Sequence, residues 1–404
     1  MSTRNNPLLF LLLGFCLACE KEIPERVTTK EAVPIVLTKA QEGFRDAANT
    51  FGIEVFRNVY KDALGKDVIC SPFSLSMVLA MSAQGAKADT WNQFAAVLNW
   101  GNASKEDIAD YYKAMISGLA KADPAVGFGN ESSVWVTSNY VIKPDYKQTL
   151  SSFFSAESYE TDFSKAASVD LINNWVASKT DGKINRMLSE LDPQTRLLLL
   201  NALLFKGPWS YETTKAKKDK FYGNAGESRK DFFDMSCEII GYEKRERYEV
   251  FRLPYGNGSY DMTVLLPSKG VLLQDIVEDI HVSDLLPHDY ASAHVHFPCF
   301  SLSWDSGSKL IINALQKTGL TLPFSPNADF SDIHDNLMIT SILQKTTIDV
   351  NEQGTEFEAA TLVQMGDGAA GTVDIKEIGV NRPFLFAIRE TSSDTFLLIG
   401  TVSN

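Results

Sequence analysis

The chain has 404 residues, of which 44% are hydrophobic, 11% aromatic and 22% charged, a profile that excludes disorder and collagen-like repeats and allows a sizeable buried core. Its formal net charge is -13, which argues against a phosphate-backbone partner, because nucleic acids demand clustered Lys and Arg.

The N-terminus reads "MSTRNNPLLFLLLGFCLACEKE". Arg4 supplies a short positive region, residues 8–15 an apolar stretch too short to span a bilayer, and the small Ala18 precedes Cys19. The expectation is an export signal over 1–18, similar to a bacterial lipoprotein cleavage site in which the Cys19 thiol receives lipid. Glu20 and Glu22 resemble the surface-export tag of some Gram-negative lipoproteins, which places the chain on the outer membrane, at the cell surface or in the periplasm, with free secretion as the alternative. Residues 19–38 mix charges with Pro24 and Pro34 and read as a tether. Cys70, Cys237 and Cys299 then remain, too few for a disulfide scaffold and each beside apolar residues, so inert thiols are expected.

From Lys39 the pattern is helical, with Phe51, Val55, Phe56 and Val59 on one stripe and Gly65 as its stop. In "DVICSPFSLSMVLAMSAQGAKADT", Ser71 before Pro72 is a helix cap, and the run that follows is apolar on every side, which predicts a helix through the centre of the molecule. "TRLLLLNALLFKGPW" predicts a strand covered on both faces. The basic run "TTKAKKDK" over 213–220 reads as a solvated loop. "FRLPYGNGSYDMTVLLP" is two strands around Asn257-Gly258, and "RPFLFAIRETSSDTFLLIGTVSN" is a closing hairpin. Helices come early and strands late without a βαβ repeat, so the class is α+β with large antiparallel or mixed sheets.

Catalytic signatures are missing: there is no G-x-S-x-G elbow, H-E-x-x-H, P-loop or G-x-G-x-x-G opening a helix. In "HVHFPCF", strand periodicity puts His294 and His296 on one face and Cys299 on the other, so a metal site is not expected, nor is a cofactor.

The blocks "SPFSLSMVLAMSAQGAKADT", "INNWVASKTDGKI", "LLNALLFKGPW", "LPYGNGSYDMTVLLP", "NADFSDI", "VNEQGTEFEAAT" and "NRPFLFAIRE" resemble, in order, the signature blocks of the serpins, from about residue 40 to the C-terminus. The resemblance implies one domain over 39–404, with three β-sheets, eight or nine helices and an exposed reactive loop over about 352–380. It implies no enzyme activity of its own. A target protease attacks the loop and is acylated, and the cut loop then inserts into the largest sheet and distorts the protease before the acyl bond is hydrolysed.

The loop sequence suits that role. Thr355, Phe357, Ala359, Thr361, Val363 and Met365 form one face of a period-two pattern, with Glu356, Glu358 and Gln364 on the other, as in a half-buried strand. By the resemblance, Glu352, Gly354, Thr355, Glu356, Phe357, Ala359, Ala360 and Thr361 form the hinge that enters the sheet; Phe357 and Glu358 depart from the small residues usual there. Ser71, Ser74 and Asn201 match a polar cluster where the sheet parts, Gln344 replaces its usual histidine, Trp209 and Glu352 match the top of the sheet, and Cys299 replaces the usual Lys partner of that glutamate. The scissile bond falls at Gly368-Ala369 counted from Glu352, with Met365-Gly366 and Thr372-Val373 as alternatives. None of these residues is basic, which favours elastase-like, subtilisin-like or papain-like targets of a monomeric inhibitor. A non-inhibitory serpin is the alternative, and a hydrolase a more distant one.

Overall fold

The computed structural model describes residues 31–63, 66–192, 194–305, 307–355 and 375–404. The helix Lys39–Asp62 starts at a capping box, in which the Thr38 hydroxyl accepts from Gln41 and the Gln41 side chain returns the bond, and it ends at Ala63 rather than at Gly65. Its buried stripe, which includes Phe51, Val55, Phe56 and Val59, lies on the next helix, Pro72–Gln84. The approach is close enough that a Cβ on Gly52 would come within 2.3 Å of the Pro72 side chain. Every residue of Pro72–Gln84 is buried, and the helix packs against strands of both sheet systems, as its unbroken apolar circumference demands.

Two sheet systems enclose that helix. The six-stranded sheet runs, in order, Phe300–Asp305, Ile339–Asn351, Gly354–Thr355, Leu197–Pro208, Gly127–Thr137 and Glu157–Thr161. In Leu197–Pro208 the residues Leu197, Leu199, Leu203 and Phe205 enter the main core. Leu198, Leu200 and Ala202 enter a second one with Trp135, Ile172, Trp175 and Val176. This accounts for the continuous apolar run: both faces of the strand are covered.

The other nine strands follow the order Ile69–Cys70, Thr395–Val402, Phe384–Glu390, Tyr260–Pro267, Tyr248–Tyr255, Gly226–Lys244, Tyr290–Pro298, Lys376–Gly379, with Lys217–Gly223 also on Gly226–Lys244. The long strand Gly226–Lys244 pairs with Tyr290–Pro298 as far as Gly241, with a register shift between Cys237 and Ile240, and with Tyr248–Tyr255 from Tyr242 onward, so there are three sheets in effect, with eight α-helices among the described residues.

Three sequence expectations are corrected. Only the first half of the basic run is loop; residues 217–220 belong to the strand Lys217–Gly223, whose Lys218 and Lys220 pair with Asp231 and Glu227 across the hairpin. Between Tyr255 and Tyr260 the turn has four residues, 256–259, not two. The tether stops short of Thr38: Ile35 is 8% exposed, packs on Gly118, and its N–H donates to the Ser392 hydroxyl.

Candidate functional site

Ile339–Asn351 and Leu197–Pro208 run parallel, paired from Ile339 with Leu197 up to Thr346 with Leu203. Above that point a third strand, Gly354–Thr355, lies between them and antiparallel to both: Thr355 faces Val350 and Gly207, and Gly354 faces Asn351 and Pro208. The chain turns at Glu352 and Gln353 and re-enters its own sheet, so Gly354 and Thr355 of the expected hinge already occupy a slot in the intact molecule.

Local chemistry fixes this seat. Gly354 adopts φ +149°, and a Cβ there would lie 2.1 Å from the Gly207 carbonyl oxygen, so no other residue fits. Thr355 is fully buried, with its hydroxyl 2.6 Å from the Tyr255 hydroxyl. Tyr255 stacks on Trp209 with centroids 4.5 Å apart and planes at 13°, and burial pushes its phenol far above the ordinary range, so it stays neutral. The Trp209 indole donates to the Asn351 carbonyl at 2.9 Å, its backbone N–H donates to Gln353, and the Thr213 hydroxyl donates to the Glu352 carbonyl.

Beneath the middle of the seam lies a buried polar cluster. The Ser71 hydroxyl caps the central helix by accepting from the Ser74 N–H at 3.1 Å and donates to the Ser74 hydroxyl at 2.8 Å. The Ser74 hydroxyl in turn donates to Asn130 Oδ1 at 2.8 Å. Asn201 Nδ2 donates to Asn130 Oδ1 and to the Ser132 hydroxyl, at 2.7 and 3.0 Å. Across the seam Gln344 is level with Asn201, and its Oε1 accepts from the Ser71 N–H at 3.1 Å. Asn201 Oδ1 is buried with no hydrogen-bond partner.

Asn130 and Ser132 were not anticipated. Their signal is "NES", which puts polar side chains at alternate positions on a strand that otherwise turns apolar residues inward. It becomes readable only once Gly127–Thr137 is known to pair with Leu197–Pro208. Trp209 sits at the mouth of the slot rather than in this cluster. Tyr255, the direct partner of the hinge, carries no sequence signal beyond its place in a hairpin.

Cys299 also stands at the mouth, half-buried, its thiol pushed up to about 11 by burial first and then by the Glu352 charge. A neutral thiol therefore faces Glu352. All three cysteines 70, 237 and 299 are free. His294 and His296 do share a face, and among the described residues no group of three or more His, Cys, Asp or Glu is arranged to hold a metal. Cys19, Glu356, Phe357, Ala359, Ala360, Thr361, Met365, Gly368, Ala369 and Thr372 lie outside the described residues.

The site is thus a parallel seam whose upper end holds the chain's own Gly354–Thr355, above a buried polar cluster. The family model for serpin (serine protease inhibitor) matches residues 46–404, and the chain belongs to this family. It is 31% identical over 390 residues to Iripin-5 of Ixodes ricinus, covering 92% of this chain and 97% of that one. With Serpin-Z1C of Triticum aestivum it shares 30% over 368 residues, 84% of this chain and 90% of the other. Among solved structures it is similar to Tengpin, a thermophilic serpin in its native state, with TM-score 0.80, 28% identity and coverage of 93% and 97%. The insect serpin Serpin48 of Tenebrio molitor gives TM-score 0.81 at 25% identity, with 91% and 100% covered.

Proposed function

We propose that this chain is a suicide inhibitor of endopeptidases that traps the acyl-enzyme by drawing its cleaved loop down the seam. The observation that carries this is the seated pair Gly354–Thr355, because it sets the register of whatever follows. Val350 is level with Gly207 above, and Gln344 is level with Asn201 below, the same offset at both heights. An inserted strand continuing that register downward would carry Phe357 between Phe205 and Ile348, Ala359 between Leu203 and Thr346, Thr361 between Asn201 and Gln344, and Val363 between Leu199 and Ile342. The inward face would thus be apolar where the core is apolar. Its one hydroxyl in mid-seam, that of Thr361, would meet the row holding the unpartnered Asn201 Oδ1.

In this mechanism the protease nucleophile attacks the carbonyl of the scissile residue, Gly368 with Met365 and Thr372 as alternatives, and the peptide bond breaks to give an acyl-enzyme. The freed upstream strand then gains a hydrogen-bond ladder on both sides. A neutral thiol in place of an ammonium beside Glu352 leaves the mouth without that ion pair and so easier to part. The non-inhibitory alternative rests on Phe357, whose ring must fit beside the buried Phe205 and Ile348 and would slow insertion until the acyl bond is hydrolysed. Incubation with elastase, subtilisin and papain followed by a denaturing gel separates the two: a stable complex supports inhibition, and quantitative loop cleavage without complex supports the alternative.

We further propose that the protein is a monomer held by lipid on Cys19 to an outer membrane, as the N-terminal sequence suggests. Metabolic labelling with palmitate, lost in Cys19→Ser, tests the anchor.

A further inference from the structure

On the sheet that carries the chain away from the loop, His296 lies between two carboxylates on different strands. Its Nδ1 is 2.7 Å from Asp234 Oδ1 on Gly226–Lys244, and its Nε2 is 3.2 Å from Asp219 Oδ2 on the edge strand Lys217–Gly223. The ring stacks on Phe232 with centroids 4.5 Å apart and planes at 8°, so it is held flat between the two oxygens. A carboxylate only accepts, and a neutral imidazole has a single N–H, so the ring satisfies one carboxylate when neutral and both when protonated.

The surrounding groups do not supply another cation at the ring. On its own strand the next residue on the same face is His294, bonded to the Ser236 hydroxyl at 3.0 Å. From Lys376–Gly379, the level positions are Gly379 opposite His296 and Glu377 opposite His294. From the edge hairpin, Asp219 is held below its ordinary range first by the Lys220 N–H and then, against burial, by His296 and Arg229.

We propose that His296 is an acid-tightened staple that fastens the edge strand Lys217–Gly223, and with it the segment leaving the reactive loop, to the body of the sheet. The link to that segment is on the page: the Tyr222 N–H on the edge strand donates to the Asn381 carbonyl at 2.8 Å, and the Val380 N–H donates to the His296 carbonyl at 2.9 Å. Lys376–Gly379 itself is a four-residue edge strand with one partner. Protonation adds a cross-strand tie spanning three strands, and deprotonation leaves one of the two carboxylates facing a lone pair. The staple does not depend on the inhibitory reading, since it acts on the intact protein.

The test is amide hydrogen exchange of peptides covering 217–223 and 376–381 in the intact full chain from pH 5.5 to 8, corrected for intrinsic exchange. The expected result is protection that is greatest at the acid end of that range and falls roughly two- to fivefold toward the alkaline end, the size of a surface ion pair. His296→Gln should flatten the profile, and Asp219→Asn, which leaves the His296–Asp234 contact in place, should flatten it too. A flat wild-type profile, or a fall that persists in either variant, overturns the proposal.

Discussion

Gly354→Ala is the sharpest perturbation of the slot. At φ +149° an L-residue carries a strain of about 1–3 kcal/mol, and the added Cβ would lie 2.1 Å from the Gly207 carbonyl oxygen and 2.8 Å from Pro208 Cα. Both are backbone atoms of a central strand, so no rotamer change relieves the clash. Moving the hinge away instead forfeits the Tyr255–Thr355 hydrogen bond, worth about 1 kcal/mol, and the burial of Thr355. With at least about 2 kcal/mol against the seat, the ratio of seated to unseated hinge falls some thirtyfold relative to wild type. The same geometry must be met when the loop inserts, so insertion slows and the acyl-enzyme partitions toward hydrolysis. The readouts are Trp209 fluorescence, which reports the stack on Tyr255, amide exchange at Thr355, and the moles of protein consumed per mole of protease trapped. The substitution should change the fluorescence, expose the Thr355 amide and raise the stoichiometry at least tenfold. Wild-type protection of Thr355 together with a wild-type yield of complex would refute the reasoning.

Three further outcomes are expected. Thr361→Val should leave the intact protein's melting temperature unchanged but lower that of the cleaved form, because Asn201 Oδ1, unpartnered in the intact protein, would gain the Thr361 hydroxyl only on insertion; Thr361→Ser should restore it. Arg389→Met leaves the Asp261 carboxylate buried without its partner, where the two side chains are 3% and 6% exposed, and urea unfolding should report a loss of about 3–5 kcal/mol. Glu157, held down to about 2 against burial by bonds from Tyr159, Trp175 and Lys179, stabilises the fold above its unfolded value near 4.5 and loses that contribution as pH falls toward 2. Glu157→Gln should therefore flatten the stability profile across that acid window, as followed by denaturant unfolding at each pH.

Patterns that depend on one element were readable in the chain. Ser71 before Pro72 marks the cap of the central helix, and the Leu197 run marks a strand covered on both faces. Ser71, Ser74, Asn201 and Gln344 come together because the N-terminus of the central helix lies under the level at which Asn201 and Gln344 face each other across the seam. What stayed hidden depends on register between distant segments. Nothing in "VNEQGT" says that Gly354 and Thr355 are already seated, because that follows from the Gly207 carbonyl and Tyr255 hydroxyl, some 150 and 100 residues away. The same holds for Asn130 and for the pairing of Asp219 with His296, which is made across an intervening strand.

The most direct test of the central claim, that the segment after Thr355 is a strand for the seam, is the melting temperature of the chain before and after the loop is cut by elastase with no complex remaining. Insertion predicts that the cleaved protein melts far above the intact one, since the seam gains a strand paired on both sides. Equal melting temperatures would contradict it, and the Gly354–Thr355 seat would then be where the strand ends.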